Sequence, residues 1–490
     1  MSTRPPPTLR RRIDSQVLRW QARLDSELAD RVLPWAFALI VALVYLLLAE
    51  ARYRGTGGGG DLAVYLQARW LILHGQSADV TINGTHILTQ HLPLGFYPLA
   101  WVTRVIPVVP TLLGLQAFSL ALGIVPLWRL ARRVAELRTG AAATLVVAYA
   151  FSPTLNNLNL ADFHPAAVAV APLLGATYLA LRERWRGFAL ASLAALIWNA
   201  ELGLVVAGLG LLIFMRGHRK VGQRTMVAGL AWTLIAVLVI EPRFGNGGFI
   251  APGAFHSYGD STFGVFGGML SHPFRLLGDL LAEENVRLLV VLLAPLLFLP
   301  VLAPRYLVPA LPLQALYLVA DVPTQRNEVG LPLTIFAFVA ATFALTRMGR
   351  RGIERVVVDR RVLIALTVAA LGFFATDAVD SPYHRPWDWR HEDATDHARH
   401  EAARIVGKAT SVRASPSVAS LVAERRQVYL LDDLDPAMAT AGGVDRVVVD
   451  GSAGQWAAAD WFDFSSGMVS RGYRSIFSSN GVVLYARGGS

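Results

Sequence analysis

A series of apolar runs, each close to the length of a membrane-crossing helix, is the feature that most constrains this chain. The first run, residues 33–48, reads LPWAFALIVALVYLLL. A helix of about 20 apolar residues crosses the hydrocarbon core of a bilayer. Of all residues, 54% are hydrophobic and only 16% are charged, and the mean hydropathy is +0.44. Soluble domains carry about 25% charged residues, so the sequence predicts a polytopic helical membrane protein.

The basic residues lie in clusters, and these clusters predict the orientation of the chain. Short cytoplasmic loops are enriched in Lys and Arg. Assigning every cluster to the cytoplasm places the N-terminus inside and the C-terminus outside. The net charge of +10 then follows from topology, and the sequence predicts no nucleic-acid partner. The clusters are residues 4–31, 129–138, 182–186, 216–224 and 347–361.

This orientation gives a cytoplasmic basic tail at residues 1–31 and about eleven crossings within residues 32–380. Residues 187–215 form either one long crossing or a hairpin of two short helices. The hairpin keeps both flanking basic loops inside, so we favour it, with the polar break Asn199-Ala200-Glu201 near the outer side. The predicted crossings are residues 33–50, 111–128, 140–155, 165–181, 187–198, 201–215, 225–241, 287–303, 305–320, 331–346 and 362–379.

Two predicted outer segments are large, at residues 52–110 and 241–284, which is unlike a simple channel. Irregular backbone at membrane depth is tolerated only where protein or water satisfies its polar groups. These segments therefore favour a site built at the membrane surface. Aromatic residues such as Tyr65, Trp70 and Trp101 suit the interface, although they are equally explained as anchors of the loop.

The composition changes after the last predicted crossing, and residues 381–490 are expected to form a small extracytoplasmic α/β domain. Short apolar stretches alternate there with helical patterns. The pair Asn480-Gly481 stands between two apolar runs, which is a strong hairpin signal. The segment contains neither a glycine-rich phosphate loop nor a nucleophile elbow. The predicted strands are residues 411–415, 427–433 and 446–451.

The chain has no cysteine, which excludes a disulfide, a thiol nucleophile and a thiolate metal site. His397 and His400 lie three residues apart on a predicted helix and could share a divalent ion with Asp393. The favoured interpretation is a surface helix that Asp393 or Thr395 caps, and no metal site is assigned. The whole group of possible ligands is His391, Asp393, Asp396, His397 and His400.

The order of several motifs closely resembles a known family of membrane proteins. DLAVYLQARWLILHG begins at Asp61, HLPLGFYPLAWV begins at His91, and an asparagine-rich stretch contains DFHP at residues 162–165. SYGDSTFGVFGGMLSHP and ASPSVASLVAERRQVYLL follow. Over about residues 61–431 these motifs resemble domain of unknown function 2079, which is similar to the GT-C glycosyltransferases. Those integral enzymes use polyprenyl-phosphate sugars.

The resemblance implies a GT-C-like bundle in which an aspartate of the first outer loop serves as base or metal ligand, and Asp61 is the matching position. Two departures favour a divergent substrate or a loss of catalysis. Family members often carry an acidic, lysine-containing triplet where this chain has Asn199-Ala200-Glu201, and a histidine–tyrosine pair before the tenth crossing is missing.

Glycosyl transfer from a lipid phosphate needs a base for the acceptor hydroxyl and positive charge at the departing phosphate. Asp61 and Asp162 are the candidate bases, although Asp61 is also a good N-cap. Glu201 at bilayer depth costs about 2.5–3.5 kcal/mol on insertion scales, which favours function unless the hairpin tip reaches water. The predicted catalytic residues are Asp61, Asp162, His164 and Glu201. The predicted substrate-binding residues are Arg52, Arg54, Arg69, His91, Tyr258 and His272.

The sequence therefore predicts a glycosyltransferase of the bacterial cell membrane. It would move a sugar from a polyprenyl-phosphate donor to a glycan or lipid acceptor at the extracytoplasmic face. The cofactor is left unassigned, with a divalent cation as the candidate. The alternative is a non-enzymatic carrier or assembly factor for lipids or lipid-linked glycans. A transporter commonly shows internal repeats, and their absence from the sequence favours the transferase.

Overall fold

The computed structural model shows a mostly helical protein with one larger sheet near the C-terminus. The described residues are 25–245, 254–321, 328–352, 355–379, 381–382, 392–407, 411–452 and 458–488. Residues 1–24 of the predicted basic tail lie outside them, as does His391, one of the possible metal ligands.

Four helices in the described ranges are long and apolar enough to cross a membrane: Glu27–Gly55, Val108–Arg133, Arg219–Phe244 and Leu331–Met348. Shorter apolar helices are Thr139–Ala150, Pro165–Leu181, Trp185–Leu196 and Leu202–Met215. Other α-helices are Gly60–Leu73, Phe96–Val102, Pro153–Leu160, Thr262–Ser271, Pro273–Leu280, Glu283–Leu293, Leu311–Val319, Arg360–Asp377, Ala394–Val406, Pro416–Ala419, Pro436–Thr440 and Ala458–Ser470. The helical architecture is confirmed, and the count of about eleven crossings stays a prediction.

The long helices differ in how deeply they are buried. The first begins after Ser26, whose side chain caps its N-terminus, and it leaves large side chains such as Leu39 and Leu47 exposed. By contrast, helix Leu331–Met348 is buried through Leu345. An apolar helix surface needs an apolar surrounding. The first helix is therefore suited to face lipid, whereas helix Leu331–Met348 forms the centre of the bundle.

A buried ion cluster ties the start of the first helix to the rest of the bundle. Arg132 is fully buried, and its guanidinium lies 2.6 Å from Asp30 and 2.9 Å from Asp25. Arg355 approaches Asp30 at 3.6 Å. A buried charge is tolerated when it is paired. Arg132 belongs to the predicted cytoplasmic cluster 129–138, and it therefore also holds helices together.

The predicted break within residues 187–215 is confirmed. Helix Trp185–Leu196 ends before Glu201, and helix Leu202–Met215 begins directly after it. The second of these helices packs closely on the next one through glycines. A Cβ on Gly210 would lie only 2.8 Å from the carbonyl oxygen of Gly222, and small residues of this kind let membrane helices approach each other.

The predicted crossings at 287–303 and 305–320 are not continuous helices. Helix Glu283–Leu293 is followed by short 3₁₀ turns, and a regular helix resumes only at Leu311–Val319. Proline lacks a backbone N–H and clashes with the preceding helical turn, which explains the interruption. The prolines of this segment are Pro295, Pro300, Pro304, Pro309 and Pro312.

The expected α/β module contains a five-stranded sheet. From edge to edge its strands are Gln427–Leu430, Ser411–Ala414, Arg446–Asp450, Val482–Arg487 and Tyr473–Ser479. The first three are parallel, and Val482–Arg487 is antiparallel to both of its neighbours. Asn480 and Gly481 turn the hairpin with φ of 45° and 83°, which confirms the hairpin prediction because such turns require positive φ. Two short strand pairs are Asp79–Val80 with Thr85–His86 and Arg350–Arg351 with Val356–Val357.

Helix Ala394–Val406 contains His397 and His400 of the possible metal ligands. Asp393 is the N-cap of Ala394–Val406, and its Oδ1 accepts the backbone N–H of Asp396 at 2.8 Å. The carboxylate of Asp396 accepts the N–H of Asp393 in return, at 3.2 Å. This reciprocal arrangement is a capping box, so the capping role of Asp393 is confirmed.

Candidate functional site

Asp61 lies in the first turn of helix Gly60–Leu73, directly after the end of the first long helix. The N-cap of this helix is Gly59, so the interpretation of Asp61 as the N-cap is wrong. The side chain of Asp61 is 74% exposed. A carboxylate in the first turn is stabilised by the helix dipole. Most of the Asp61 side chain is accessible from outside the protein.

Asp162 performs the capping instead. Its Oδ1 accepts the backbone N–H of Gly59 at 3.0 Å, and its Oδ2 accepts the N–H of Leu62 at 3.1 Å. A Cβ on Gly59 would lie 2.8 Å from Oδ2 of Asp162, so glycine allows the carboxylate to reach the amides. The two oxygens of this predicted base are thus occupied in holding the helix that carries Asp61.

His164 stands next to Asp61. Its Nδ1 lies 2.6 Å from the carbonyl oxygen of Asp162. Because a carbonyl oxygen only accepts, Nδ1 carries the proton, and Nε2 is the atom left facing Asp61. Nε2 lies 3.7 Å from Oδ2 of Asp61. The DFHP turn thus places the imidazole of His164 beside the carboxylate of Asp61. Sequence spacing alone did not predict that these two side chains lie close together.

Gln116 fixes the conformation of the DFHP turn. Its Oε1 accepts the backbone N–H of His164 at 2.8 Å, and its Nε2 donates to the carbonyl oxygen of Asp162 at 3.2 Å. Gln116 is fully buried. The predicted site residues do not include Gln116, although an amide inside the apolar run 111–128 is a visible signal because a buried polar group needs partners.

Two of the predicted phosphate-binding arginines lie near this turn with different surroundings. Arg52 places Nη1 3.9 Å from Oδ1 of Asp162, and its side chain is 33% exposed. Arg54 is largely exposed and approaches Glu50 at 3.9 Å. Residues two apart on a helix point to different faces, so Arg52 is directed toward the DFHP turn and Arg54 away from it.

Glu201 belongs to a separate, buried polar cluster. Its carboxylate accepts hydrogen bonds from Nδ1 of His91 and from the hydroxyl of Tyr317, and the residue has no exposed surface. The N–H of Ala200 donates to the carbonyl oxygen of His91 at 2.9 Å. Partners of this kind compensate for burying a carboxylate. The predicted residues Glu201 and His91 are therefore in direct contact. Tyr317, which the sequence did not indicate, also bonds to Glu201.

His91, in the first outer loop, is the titratable base of this cluster. Burial lowers the pKa of its imidazole, but the carboxylates of Glu201, Glu328 and Glu241 outweigh burial and raise the pKa to about 9. An ordinary histidine has a pKa of about 6.5. His91 is thus protonated at neutral pH, and its bond to Glu201 joins a cation to a carboxylate.

Tyr258 and His272 bond within the third outer segment and its helices. The hydroxyl of Tyr258 donates to Asp279 at 2.5 Å, and the guanidinium of Arg275 lies 5.4 Å from the centre of its ring. His272 is exposed, with Nδ1 3.1 Å from the carbonyl oxygen of Gly268. Within the described part of the chain, no hydrogen bond of either residue reaches His164 or Glu201.

The family model of DUF2079, described as a predicted membrane protein, matches residues 57–484. The protein belongs to this family. The resemblance inferred from the motifs is thereby confirmed, and DUF2079 membership makes the chain a membrane protein by family. A search of curated proteins found no significant match.

Two solved structures of ArnT from Cupriavidus metallidurans resemble this DUF2079 protein in fold. ArnT bound to undecaprenyl phosphate aligns with a TM-score of 0.57 at 13% identity, covering 95% of this chain and 99% of that chain. ArnT in the apo state aligns with a TM-score of 0.55 at 13% identity, covering 93% and 97%. At such identity the likeness concerns the fold alone, and it supports the GT-C resemblance.

The C-terminal domain of this DUF2079 protein docks onto the segment that precedes Asp61. The hydroxyl of Ser420 accepts the backbone N–H of Gly58 at 3.0 Å and donates to its carbonyl oxygen at 2.7 Å. Arg69 donates to Glu424 at 2.7 Å, so this predicted phosphate ligand braces the two parts of the chain. The glycine run is therefore fixed from two sides, by Asp162 and by Ser420.

An apolar groove of about 560 Å³ runs along the first helix of the DUF2079 fold. Tyr45, Leu48 and Phe374 are among the residues that line it. Tyr45, Leu48 and Arg52 lie on one face of the helix because steps of three and four residues return to the same face. Arg52 stands about 6 Å beyond Leu48 along the axis. The groove thus leads toward Arg52 and Asp162.

Proposed function

We propose that the protein is an integral-membrane glycosyltransferase. It moves a sugar from a polyprenyl-phosphate donor to a hydroxyl of a glycan or lipid acceptor at the extracytoplasmic face of the bacterial cell membrane. The observation that carries the proposal is the exposed carboxylate of Asp61 beside the imidazole of His164, on a helix that Asp162 holds in place.

Asp61 is the proposed general base. Its carboxylate accepts the proton of the acceptor hydroxyl while that oxygen attacks the anomeric carbon of the donor sugar. The bond between this carbon and the phosphate oxygen breaks, and its electron pair stays with the phosphate, so polyprenyl phosphate leaves. General-base catalysis contributes roughly 10²–10⁴-fold to the rate of such a step.

His164 is the proposed partner of this base. The distance of 3.7 Å between Nε2 and Asp61 is longer than a hydrogen bond, and catalytic contacts often tighten when substrate binds. The carbonyl oxygen of Asp162 holds the other nitrogen, Nδ1. Nε2 can therefore take over the proton that Asp61 has accepted.

Arg52 is the proposed ligand of the donor phosphate. Guanidinium groups bind phosphate through paired N–H donors, and Arg52 lies between the DFHP turn and the apolar groove. The groove offers an apolar surface for the isoprenoid chain. ArnT, which shares the fold, has been crystallised with undecaprenyl phosphate, and this supports a polyprenyl phosphate as the leaving group.

Positioning roles are proposed for the other two predicted catalytic carboxylates. Both oxygens of Asp162 accept backbone N–H groups, so its function is to fix the helix of Asp61. Glu201 has no exposed surface, and with His91 and Tyr317 it joins the first outer loop to the start of helix Leu202–Met215. No role in donor binding is proposed for Arg69, Tyr258 or His272.

The test is turnover of donor by the purified full chain in proteoliposomes. A panel of radiolabelled polyprenyl-phosphate sugars is supplied with total membrane lipid and glycan as acceptors, and release of polyprenyl phosphate is followed. We expect at least one donor to be consumed. Arg52→Gln should raise the apparent KM for this donor by about tenfold, since a charged hydrogen bond contributes about 1.5–3 kcal/mol.

Arg54→Gln is the matched control because it removes the same charge two residues away and is expected to leave KM unchanged. If no donor of the panel is consumed, the transferase proposal is wrong. Stoichiometric retention of a donor without turnover would instead favour a carrier. Equal effects of Arg52→Gln and Arg54→Gln would contradict the role of Arg52 in binding the phosphate and would leave the transferase proposal standing.

A further inference from the structure

A second cavity lies on the side of the bundle that the arginine distribution assigns to the cytoplasm. Trp35, which lines it, is separated from Arg52 by 17 residues of the first helix, or about 25 Å along its axis. The cavity volume is about 560 Å³, which falls within the range of roughly 300–1,000 Å³ that ligand sites have. Because of its distance from Arg52, the cavity is distinct from the proposed active site.

Three arginines line this cavity: Arg129, Arg133 and Arg184. Arg129 and Arg133 are one turn apart and lie on the same helix face. The guanidinium of Arg129 lies 5.9 Å from the centre of the Trp35 ring. Among the residues that the structure describes, no carboxylate lines the cavity, and none of the three arginines has a carboxylate within ion-pair distance. The nearby Arg132, by contrast, is paired with two aspartates.

The other walls of the cavity are mostly apolar, and the small residues Ala171, Gly175 and Ala194 form part of them. A Cβ built on Gly175 would meet no atom within 4 Å, so this residue borders open space. The cavity thus combines an apolar wall with a cationic group. A phospholipid has the complementary form, because its acyl chains are apolar and its headgroup carries a phosphate.

We propose that this cavity binds an anionic glycerophospholipid of the cytoplasmic leaflet. Arg129, Arg133 and Arg184 hold the headgroup phosphate, and an acyl chain lies along the wall that contains Gly175. Arginine is suited to phosphate because its planar fork donates two parallel hydrogen bonds. Basic pockets between membrane helices on the cytoplasmic side bind anionic headgroups in this way.

The test is lipid binding by the delipidated full chain in detergent, measured by native mass spectrometry with phosphatidylglycerol and with phosphatidylcholine. We expect phosphatidylglycerol to bind at least about tenfold more tightly. The triple variant R129Q/R133Q/R184Q should lose this preference, because it lacks the guanidinium groups that bind the headgroup phosphate. A tenfold loss of affinity corresponds to about 1.4 kcal/mol. The matched control is R219Q/R224Q/R360Q, which removes three exposed arginines outside the cavity and should bind as the wild type does.

Gly175→Leu separates a shaped site from general attraction to positive charge. This variant keeps all the arginines and places a side chain into the open space beside Gly175, so it should also reduce phosphatidylglycerol binding by about tenfold. Wild-type binding by Gly175→Leu would overturn the proposal, as would an equal loss in the control triple variant. Inorganic phosphate that binds as tightly as phosphatidylglycerol would identify a simple anion site and overturn it as well.

Discussion

Asp162 and Gly59 lie 103 residues apart in the chain, yet the carboxylate of Asp162 accepts the backbone N–H of Gly59 at 3.0 Å. Its second oxygen accepts the N–H of Leu62 at 3.1 Å. The helix that carries Asp61 therefore begins on a side chain from another part of the bundle. The place of the proposed base depends on this contact, and changes on either side of it should move Asp61.

Gly59→Ala should disturb the site without touching Asp61 itself. The added methyl group would lie 2.8 Å from Oδ2 of Asp162, so either the carboxylate or the helix start must shift. Loss of a helix cap costs about 0.5–2 kcal/mol, and we expect a lower melting temperature together with reduced donor turnover. Circular dichroism in detergent and the proteoliposome assay measure the two effects.

Gly140→Ala is the control for this experiment. Gly140 lies in helix Thr139–Ala150, and a Cβ there would meet no atom within 4 Å. Because alanine favours helix over glycine by about 0.8–1.0 kcal/mol, this variant should be as stable as the wild type or more so. A Gly59→Ala protein with wild-type melting and turnover would contradict the capping role of Asp162.

Ser420→Ala should show that the C-terminal domain positions the site. The change removes two hydrogen bonds to Gly58 and leaves a buried N–H without its partner, at a cost of about 1–3 kcal/mol. We expect faster proteolysis within the glycine run 55–60 and lower turnover. Ser466→Ala, an exposed serine of the same domain, should change neither quantity, and equal protease sensitivity of the two variants would argue against the role of Ser420.

The His91–Glu201 pair predicts a pH dependence of stability. The pKa of His91 is raised to about 9 in the folded protein by Glu201, Glu328 and Glu241, and it is about 6.5 in an unfolded chain. Protonated His91 therefore stabilises the fold fully below pH ~6.5, and this contribution is lost as the pH rises through about 9. The melting temperature should fall across this window.

His91→Gln should abolish this part of the pH dependence, because glutamine does not titrate. Melting curves of the wild type and of this variant between pH 6 and 10 provide the measurement, and the difference between the two proteins should shrink as the pH increases. A constant difference across the window would show that His91 does not titrate there, and the proposed ion pair with Glu201 would be wrong.

Local patterns in the sequence predicted much of this fold. The apolar runs indicate helices, and Asn480-Gly481 indicates the hairpin because its turn geometry is set by the two residues themselves. The polar break at Asn199 likewise separates two helices. Hydropathy predicts ordinary crossings at residues 287–303 and 305–320, although the prolines there prevent a continuous helix. Hydropathy measures apolar content and does not register the backbone N–H that each proline lacks.

The candidate site was predictable in its residue types and not in its geometry. The sequence points to Asp61, Asp162 and His164, but it does not show which carboxylate is exposed and which is a cap. That distinction depends on packing between segments about 100 residues apart. Gln116 and Tyr317 were missed for the same reason, since their importance lies in hydrogen bonds to distant parts of the chain.

The most direct test of the account is the turnover of Asp61→Asn in proteoliposomes. Asparagine keeps the shape of the side chain and removes its ability to accept a proton. We predict a loss of at least about 10²-fold with an unchanged melting temperature, whereas Asp162→Asn should lose both turnover and stability. The control Asp432→Asn, at an exposed aspartate of the C-terminal domain, should remain fully active. Wild-type turnover by Asp61→Asn would contradict the assignment of Asp61 as the base, and with it the central claim.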